Sequence, residues 1–253
     1  MKVVVIGGTG LVGSRLTSEL RRRGADVSIV SRTTENVDLL EPYGLADAFD
    51  GVDVVIDTLN TSAMDSVGAT QFFKRAAGNI SAAETEAHVP HHILLSIIGL
   101  ELATRNGHYI GKLAQEQVVK RSGIPYTIVR SAQFFEFLPS IAEFFVIDGE
   151  VQLPRTLVQP VAVNDVVMAL ADAAESAAVD DTIEIAGPEQ FPIVEAVRIV
   201  LSSDPRPVIE VSGYEAFGVD THDALVPTGI FRKGDQWLKD WTVHRDSSVQ
   251  KSE

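Results

Sequence analysis

Residues 3–16, VVVIGGTGLVGSRL, run four apolar β-branched residues into a cluster of glycines and then into a helical pattern. Glycine inside a strand or helix costs roughly 0.5–1 kcal/mol relative to alanine, so a cluster at a strand-to-helix handover marks a backbone that must turn tightly or be approached closely. Gly8-x-Gly10-x-x-Gly13, after a strand and opening a helix, is the dinucleotide fingerprint in the context it requires. In that reading an early glycine, Gly7 or Gly8, makes the turn. Gly10 lets the backbone approach a pyrophosphate, and Gly13 lets the helix pack against the strand. Thr9, Leu11 and Val12 complete the turn, where a helix N-terminus supplies free N–H groups and a partial positive charge.

Strand and helix alternate outward from this stretch. Residues 2–7 read as a buried strand, and 11–23 as a helix with Val12, Leu16 and Leu20 on one face. Further strands are expected at 27–30, near 36–39, at 52–60, 91–96 and 126–130, with helices over 45–49, 68–87 and 109–122. Continuously apolar strands alternating with helices predict a parallel sheet covered on both faces, a Rossmann-like doubly wound α/β fold. After about residue 131 the rhythm changes to an aromatic helical segment, a Pro-punctuated extended segment and two more helices. Residues 1–253 are expected to form a single NAD(P)-binding domain, with a core at 1–131 and additions at 132–253 forming a small C-terminal substrate lobe. Asn164 and Asp165 read as a helix N-cap, and the polar residues from Trp241 onward as frayed.

Composition narrows the function classes. The 253 residues are 45% hydrophobic and 22% charged, which suits a globular protein of one large domain. A net charge of −14 makes nucleic acid an unexpected partner. Arg21-Arg22-Arg23 complements a helix C-terminus. The chain has no cysteine, which removes disulfides and thiolate metal sites and is compatible with a cytoplasmic location. No apolar run has the length of a membrane span, and a strand beginning at residue 2 leaves no room for a signal peptide. His88, His91 and His92 straddle the start of a strand, with 91 and 92 on opposite faces, so no metal site is expected. The partners expected are a small-molecule substrate and, at most, a second copy of the chain, as monomer or homodimer.

The end of the second strand selects the nucleotide. NAD-preferring sites place a carboxylate there for the ribose 2′-hydroxyl. Here the residues are Val30-Ser31-Arg32-Thr33-Thr34, and the first carboxylate is Glu35. Arg32 suits a 2′-phosphate, with Ser31 and Thr33 adding hydroxyl donors, so NADP (as NADPH) is the expected cofactor. Thr58, Leu59 and Asn60 close an apolar run and are expected at the carboxyl edge of the sheet, as are Gln133 and Phe134 beyond the strand at 126–130.

VVIGGTGLVGSRL, VVIDTLN, LLSIIG, KLAQEQVVKRSGIPYTIVRSAQFFEF, QPVAVNDVVMAL and IEIAGPEQF together resemble an atypical short-chain dehydrogenase/reductase of the NmrA-like, NAD(P)H-binding group. Gly7-x-x-Gly10-x-x-Gly13 also fits the spacing of that superfamily. The resemblance implies a Rossmann core, NAD(P)H, and reduction of quinones or other small carbonyl or unsaturated compounds. It also implies an alternative, since some members bind the cofactor only to sense redox state. The superfamily's catalytic group is Ser, Tyr and Lys, with Tyr four residues before Lys. Here Ser96 and Lys112 match, but His108 stands four residues before Lys112 and Tyr109 three before. On a helix both positions share the lysine's face. The function expected is therefore an NADP-dependent oxidoreductase transferring hydride to a small apolar carbonyl or quinone-like substrate, with Lys112, His108, Tyr109 and Ser96 as catalytic candidates. The alternative is a non-catalytic NAD(P)H-binding sensor or regulator.

Overall fold

A computed structural model describes residues 1–31 and 37–249, with 246–249 described by backbone alone. The first half of the chain contains β1 (Lys2–Ile6), α1 (Leu11–Arg22), β2 (Asp26–Val30), α2 (Leu45–Ala48), β3 (Val54–Asp57), α3 (Ser66–Glu86), β4 (His92–Ile97), α4 (Gly107–Arg121) and β5 (Tyr126–Ser131). The second half adds α5 (Leu138–Phe144), β6 (Val146–Ile147), β7 (Glu150–Leu153), β8 (Leu157–Val158), α6 (Val163–Ala174), β9 (Asp181–Ala186), β10 (Phe191–Pro192), α7 (Ile193–Val200), β11 (Val208–Glu210), β12 (Arg232–Lys233) and α8 (Leu238–Val249).

Seven strands form one sheet in the order β12-β9-β5-β4-β3-β1-β2, and every pairing in it is parallel. The chain leaves β1 for β2 on one side and returns to β3 on the other. That reversal is the switch point at which open α/β sheets bind ligands, outside the carboxyl ends of the strands. Because neighbouring side chains in a strand face opposite ways, Val3 and Val5 pack with Val12, Leu16 and Leu20 of α1 and with Val166 and Leu170 of α6. Val4, Ile6 and Val55 pack on the other face with Leu45 of α2 and with Ala76 and Ile80 of α3. Leu94 and Ile128 meet Val119 of α4. Burial on both faces explains why these strands are apolar throughout. A second core under α5, α7 and α8 includes Phe135, Val151, Val197 and Leu238, together with Leu100 and Tyr109 from the first half of the chain.

Three local expectations are corrected. No strand stands at 37–39; the chain turns at Leu39–Leu40, and Leu39 inserts into the core beside α2, while residue 36 lies outside the described residues. The N-cap of α6 is Ala162, not Asn164 or Asp165. The Val163 N–H instead donates to Glu136 Oε2 at 3.1 Å, a partner 27 residues away. Asn164 accepts from Arg15 at 3.0 Å, and Asp165 from the Gln236 N–H at 3.2 Å. Residues 241–249 belong to α8, anchored where Trp241 lies against Phe135 with ring centroids 5.8 Å apart.

Candidate functional site

Parallel strands bring the segments after β1, β3, β4 and β5 to one edge of the sheet. After β1, Gly7 adopts a left-handed φ of +75°, and its N–H donates to the Val30 carbonyl at 2.8 Å. The Gly10 N–H turns back to the Gly7 carbonyl at 2.9 Å. A Cβ on Gly13 would stand 2.3 Å from the Gly7 oxygen and one on Gly8 would stand 2.6 Å from an Ile29 methyl, whereas one on Gly10 would meet nothing nearer than 3.3 Å. Gly8 and Gly13 are therefore glycines of close packing, and Gly10 is the least crowded of the three, although a Cβ there would still press on the Gly7 oxygen. Gly10 is the N-cap of α1, and no side chain caps the helix. Thr9 and Leu11 are exposed, whereas Val12 is turned into the core.

After β3, Thr58 donates its hydroxyl to the Ile6 carbonyl at 2.7 Å and lies against Gly7. Leu59 is buried, with its N–H on Asp57 Oδ1 at 2.8 Å. Asn60 is exposed, its side-chain oxygen accepting from the Thr61 N–H. Ser31, after β2, is buried. Arg32 and Thr33 lie outside the described residues.

Lys112 is buried in α4, 4% exposed. Its Nζ donates to the Leu95 carbonyl at 2.8 Å and to Gln115 Oε1 at 2.7 Å, and it lies 5.0 Å from the centre of the Phe73 ring. Burial lowers its pKa to about 8, against the opposing pull of Asp57 and Glu116. Glu116 is engaged elsewhere: it accepts from the Ser96 hydroxyl at 2.6 Å and from Arg130 at 2.8 and 2.6 Å. Burial alone would raise the Glu116 pKa, but Arg130 holds it low. The Ser96 hydroxyl is thus spent beneath α4.

Gly111 allows α4 to lie against α3, since a Cβ there would stand 2.8 Å from the Ala69 backbone. Gly107 does the same at the loop, with its would-be Cβ 2.4 Å from the Met64 oxygen. The close approach brings His108 edge-on to Phe73, with ring centroids 5.5 Å apart. Burial, and then the Lys112 cation, lower the His108 pKa, while the Ala63 carbonyl opposes them. His108 Nδ1 is buried with no hydrogen-bond partner. Tyr109 turns the other way and stacks on Phe217, with ring centroids 6.1 Å apart. Burial pushes its phenol up to about 12, with slight relief from the Gln133 side chain. Gln133 itself is buried with both amide atoms lacking a full hydrogen bond. Its backbone carbonyl accepts from the Val161 N–H at 2.9 Å, and Phe134 bridges to Val161 beside it.

The glycine turn, Thr58–Asn60 and Gln133–Phe134 are therefore assembled at one sheet edge. Ser96 and Lys112 belong to a polar layer between β4 and α4. Gln115, Phe73 and Arg130 were not singled out from the sequence. Lys112, Gln115 and Glu116 are i, i+3 and i+4 on one helical face, which is the signal that points to the first of them. His91 and His92 engage separate partners, Thr127 at 2.9 Å and Glu84 at 2.6 Å.

An all-parallel sheet with a bare glycine turn at its switch point defines a dinucleotide-binding α/β protein. The chain belongs to the NAD(P)H-binding family, whose model matches residues 7–174. Among curated relatives it is 26% identical over 151 residues to the photosystem II assembly factor Ycf39 of Cyanophora paradoxa, covering 54% of this chain and 47% of that one. The chain spans about half the length of the curated relatives it matches. Among solved structures, MoeE5 in complex with UDP-glucuronic acid and NAD superposes over 100% of both chains with a TM-score of 0.77 at 18% identity. An NAD-bound short-chain dehydrogenase/reductase superfamily protein from Agrobacterium tumefaciens covers 100% of this chain and 98% of its own, with a TM-score of 0.73 at 15% identity. These structures share the fold. No helix among the described residues is long and apolar enough to cross a membrane.

Proposed function

We propose that the chain is an NADP(H)-dependent reductase of a small, apolar, quinone-like or conjugated carbonyl substrate. The observation that carries the reading is the glycine turn: an exposed Gly10 and an uncapped α1 N-terminus at the switch point fit a pyrophosphate. The unpaired amide of Gln133 at the same edge also fits a polar ligand group. Gly7–Gly13 would hold the pyrophosphate, Thr58–Asn60 the middle of the cofactor, and Gln133 and Phe134 the nicotinamide side. Arg32, with Ser31 and Thr33, would hold a 2′-phosphate. When bound, the cofactor supplies hydride. Lys112 keeps a buried positive charge beneath the site, and His108 presents an imidazole from the same helix face. A quinone-like acceptor suits this arrangement because solvent can protonate its reduced oxygens.

A second reading, a cofactor-binding sensor, is favoured by one observation: Ser96 is tied to Glu116, and the Tyr109 phenol is buried on Phe217 with its pKa raised. The names of the Ycf39 relatives, assembly factors, suit a protein that acts by association, so the two readings divide on turnover. The test is calorimetric titration with NADPH and NADH, followed by NADPH oxidation against a panel of quinones and aldehydes. Turnover of a quinone supports the reductase. Tight NADPH binding without turnover selects the sensor, and no binding of either nucleotide removes both. We take the working form as a cytoplasmic monomer or homodimer, to be checked by sedimentation.

A further inference from the structure

We propose that Asp57 and Gln115 form a buried relay that positions Lys112 and couples it to the Thr58–Asn60 turn. The inference rests on the cofactor edge proposed above. Asp57 ends β3 and is fully buried. One of its oxygens, Oδ1, accepts from the Leu59 N–H at 2.8 Å and so shapes the turn into the cofactor edge. The other, Oδ2, accepts from Gln115 Nε2 at 2.8 Å, and Gln115 Oε1 accepts from Lys112 Nζ at 2.7 Å. Gln115 is also fully buried. A carboxylate can only accept and an ammonium can only donate. With one on each side, a single orientation of the amide satisfies both, and it aims the carbonyl end at the amine. The amide is thereby locked by charge, and the amine is held without direct contact to an anion. The direct partners of Lys112 are neutral: a backbone carbonyl, an amide oxygen and the Phe73 ring.

Asp57 and Gln115 are positioning residues, since both act through Lys112. The charged and titratable groups around the amine are Asp57 on β3, His92 on β4 with Glu84 of α3 bonded to it, Arg130 on β5, and His108 and Glu116 on α4. Arg130 holds Glu116, and Glu84 holds His92. Asp57 is left as the anion that faces Lys112 across a single amide. The relay thus supports the Lys112 charge against the burial that pulls its pKa to about 8.

The experiment is a pH titration of the full chain labelled at the lysine ε-carbon, followed by NMR without cofactor, on the unmutated protein, Asp57→Asn and Gln115→Met. Lys112 is expected to titrate near pH 8 in the unmutated protein. Asp57→Asn is expected to move it down by about one pH unit, because an opposite charge is lost. Gln115→Met keeps the length and removes the acceptor, and moves it the same way. Circular dichroism establishes that each variant is folded, and should Asp57→Asn fail to fold, Gln115→Met decides. A Lys112 whose titration is unmoved in the folded variants overturns the relay. The readout needs no turnover, so a chain that binds NADPH and reduces nothing would still confirm or refute it.

Discussion

Gly13 stands so close to Gly7 that a Cβ on it would lie 2.3 Å from the Gly7 carbonyl oxygen, whereas one on Gly10 would clear the same oxygen by 3.3 Å. Gly13→Ala is therefore expected to push α1 off the turn and cost about 1–3 kcal/mol of stability, measured by urea unfolding. Gly10→Val, whose Cβ would press on the Gly7 oxygen, should stay folded by circular dichroism with a slight loss of stability, and should lose measurable NADPH binding. Unchanged NADPH affinity in Gly10→Val would remove the glycine turn from the site.

Arg32→Ala tests the nucleotide preference. A hydrogen bond to a charged group is worth roughly 1.5–3 kcal/mol, so NADPH should bind roughly ten- to a hundred-fold more weakly and NADH almost as before. Calorimetry with both nucleotides reads the difference. Equal affinity for NADPH and NADH in the unmutated protein would count against the preference.

His108 and Tyr109 separate by pH. The His108 pKa lies below its ordinary 6.5, so its acid form is lost as pH rises through a value below that. The Tyr109 phenol, near 12, stays protonated through neutral pH. With a carbonyl substrate, whose alkoxide needs an enzyme acid, rates at saturating NADPH over pH 5–9 should show an acid limb that His108→Ala abolishes and Tyr109→Phe leaves in place, whereas a quinone protonated by solvent should show none. Loss of rate only in Tyr109→Phe would transfer the role to the phenol.

The buried His92–Glu84 pair gives stability its own pH dependence. Burial pulls His92 down, but Glu84 more than offsets this and raises its pKa above 6.5. A raised histidine stabilises the fold fully below its unfolded pKa, and the contribution fades as pH rises through the folded value. Urea midpoints should therefore fall as pH climbs above 6.5, and Glu84→Gln should flatten that slope. His92→Ala leaves a buried carboxylate unpaired and is expected to cost about 3–5 kcal/mol.

The first half of the fold was legible because its signals are local. VVVIGGTGLVGSRL carries a strand, a turn and a helix in contiguous residues, and VDVVIDTLN ends in the Thr58–Asn60 turn at the same sheet edge. What escaped sequence reading is assembled from afar. Glu136 caps α6 across 27 residues, so the polar Asn164 and Asp165 were mistaken for the cap. α8 has no apolar stripe along its length, and its helicity rests on Trp241 meeting Phe135. Lys112 and Ser96 were found by pattern, and Gln115 lies one turn from Lys112, but Ser96, Glu116 and Arg130 stand on three elements that only tertiary packing brings together.

The pairing of β9 along β5 sets a problem of timing. Arg15 on α1 and its partner Asn164 are 149 residues apart, and β5 finds its outer neighbour only at residues 181–185. A chain emerging from the ribosome has β1 through β5 in hand long before β9 exists. Through that interval Thr127–Ser131 present an unpaired strand edge, the kind of template on which other chains add. Non-local parallel pairing is also slow to form. The sheet begun at the first glycines is thus closed on its far side only by the last third of the polypeptide, and a product stopped short of β9 should accumulate as aggregate.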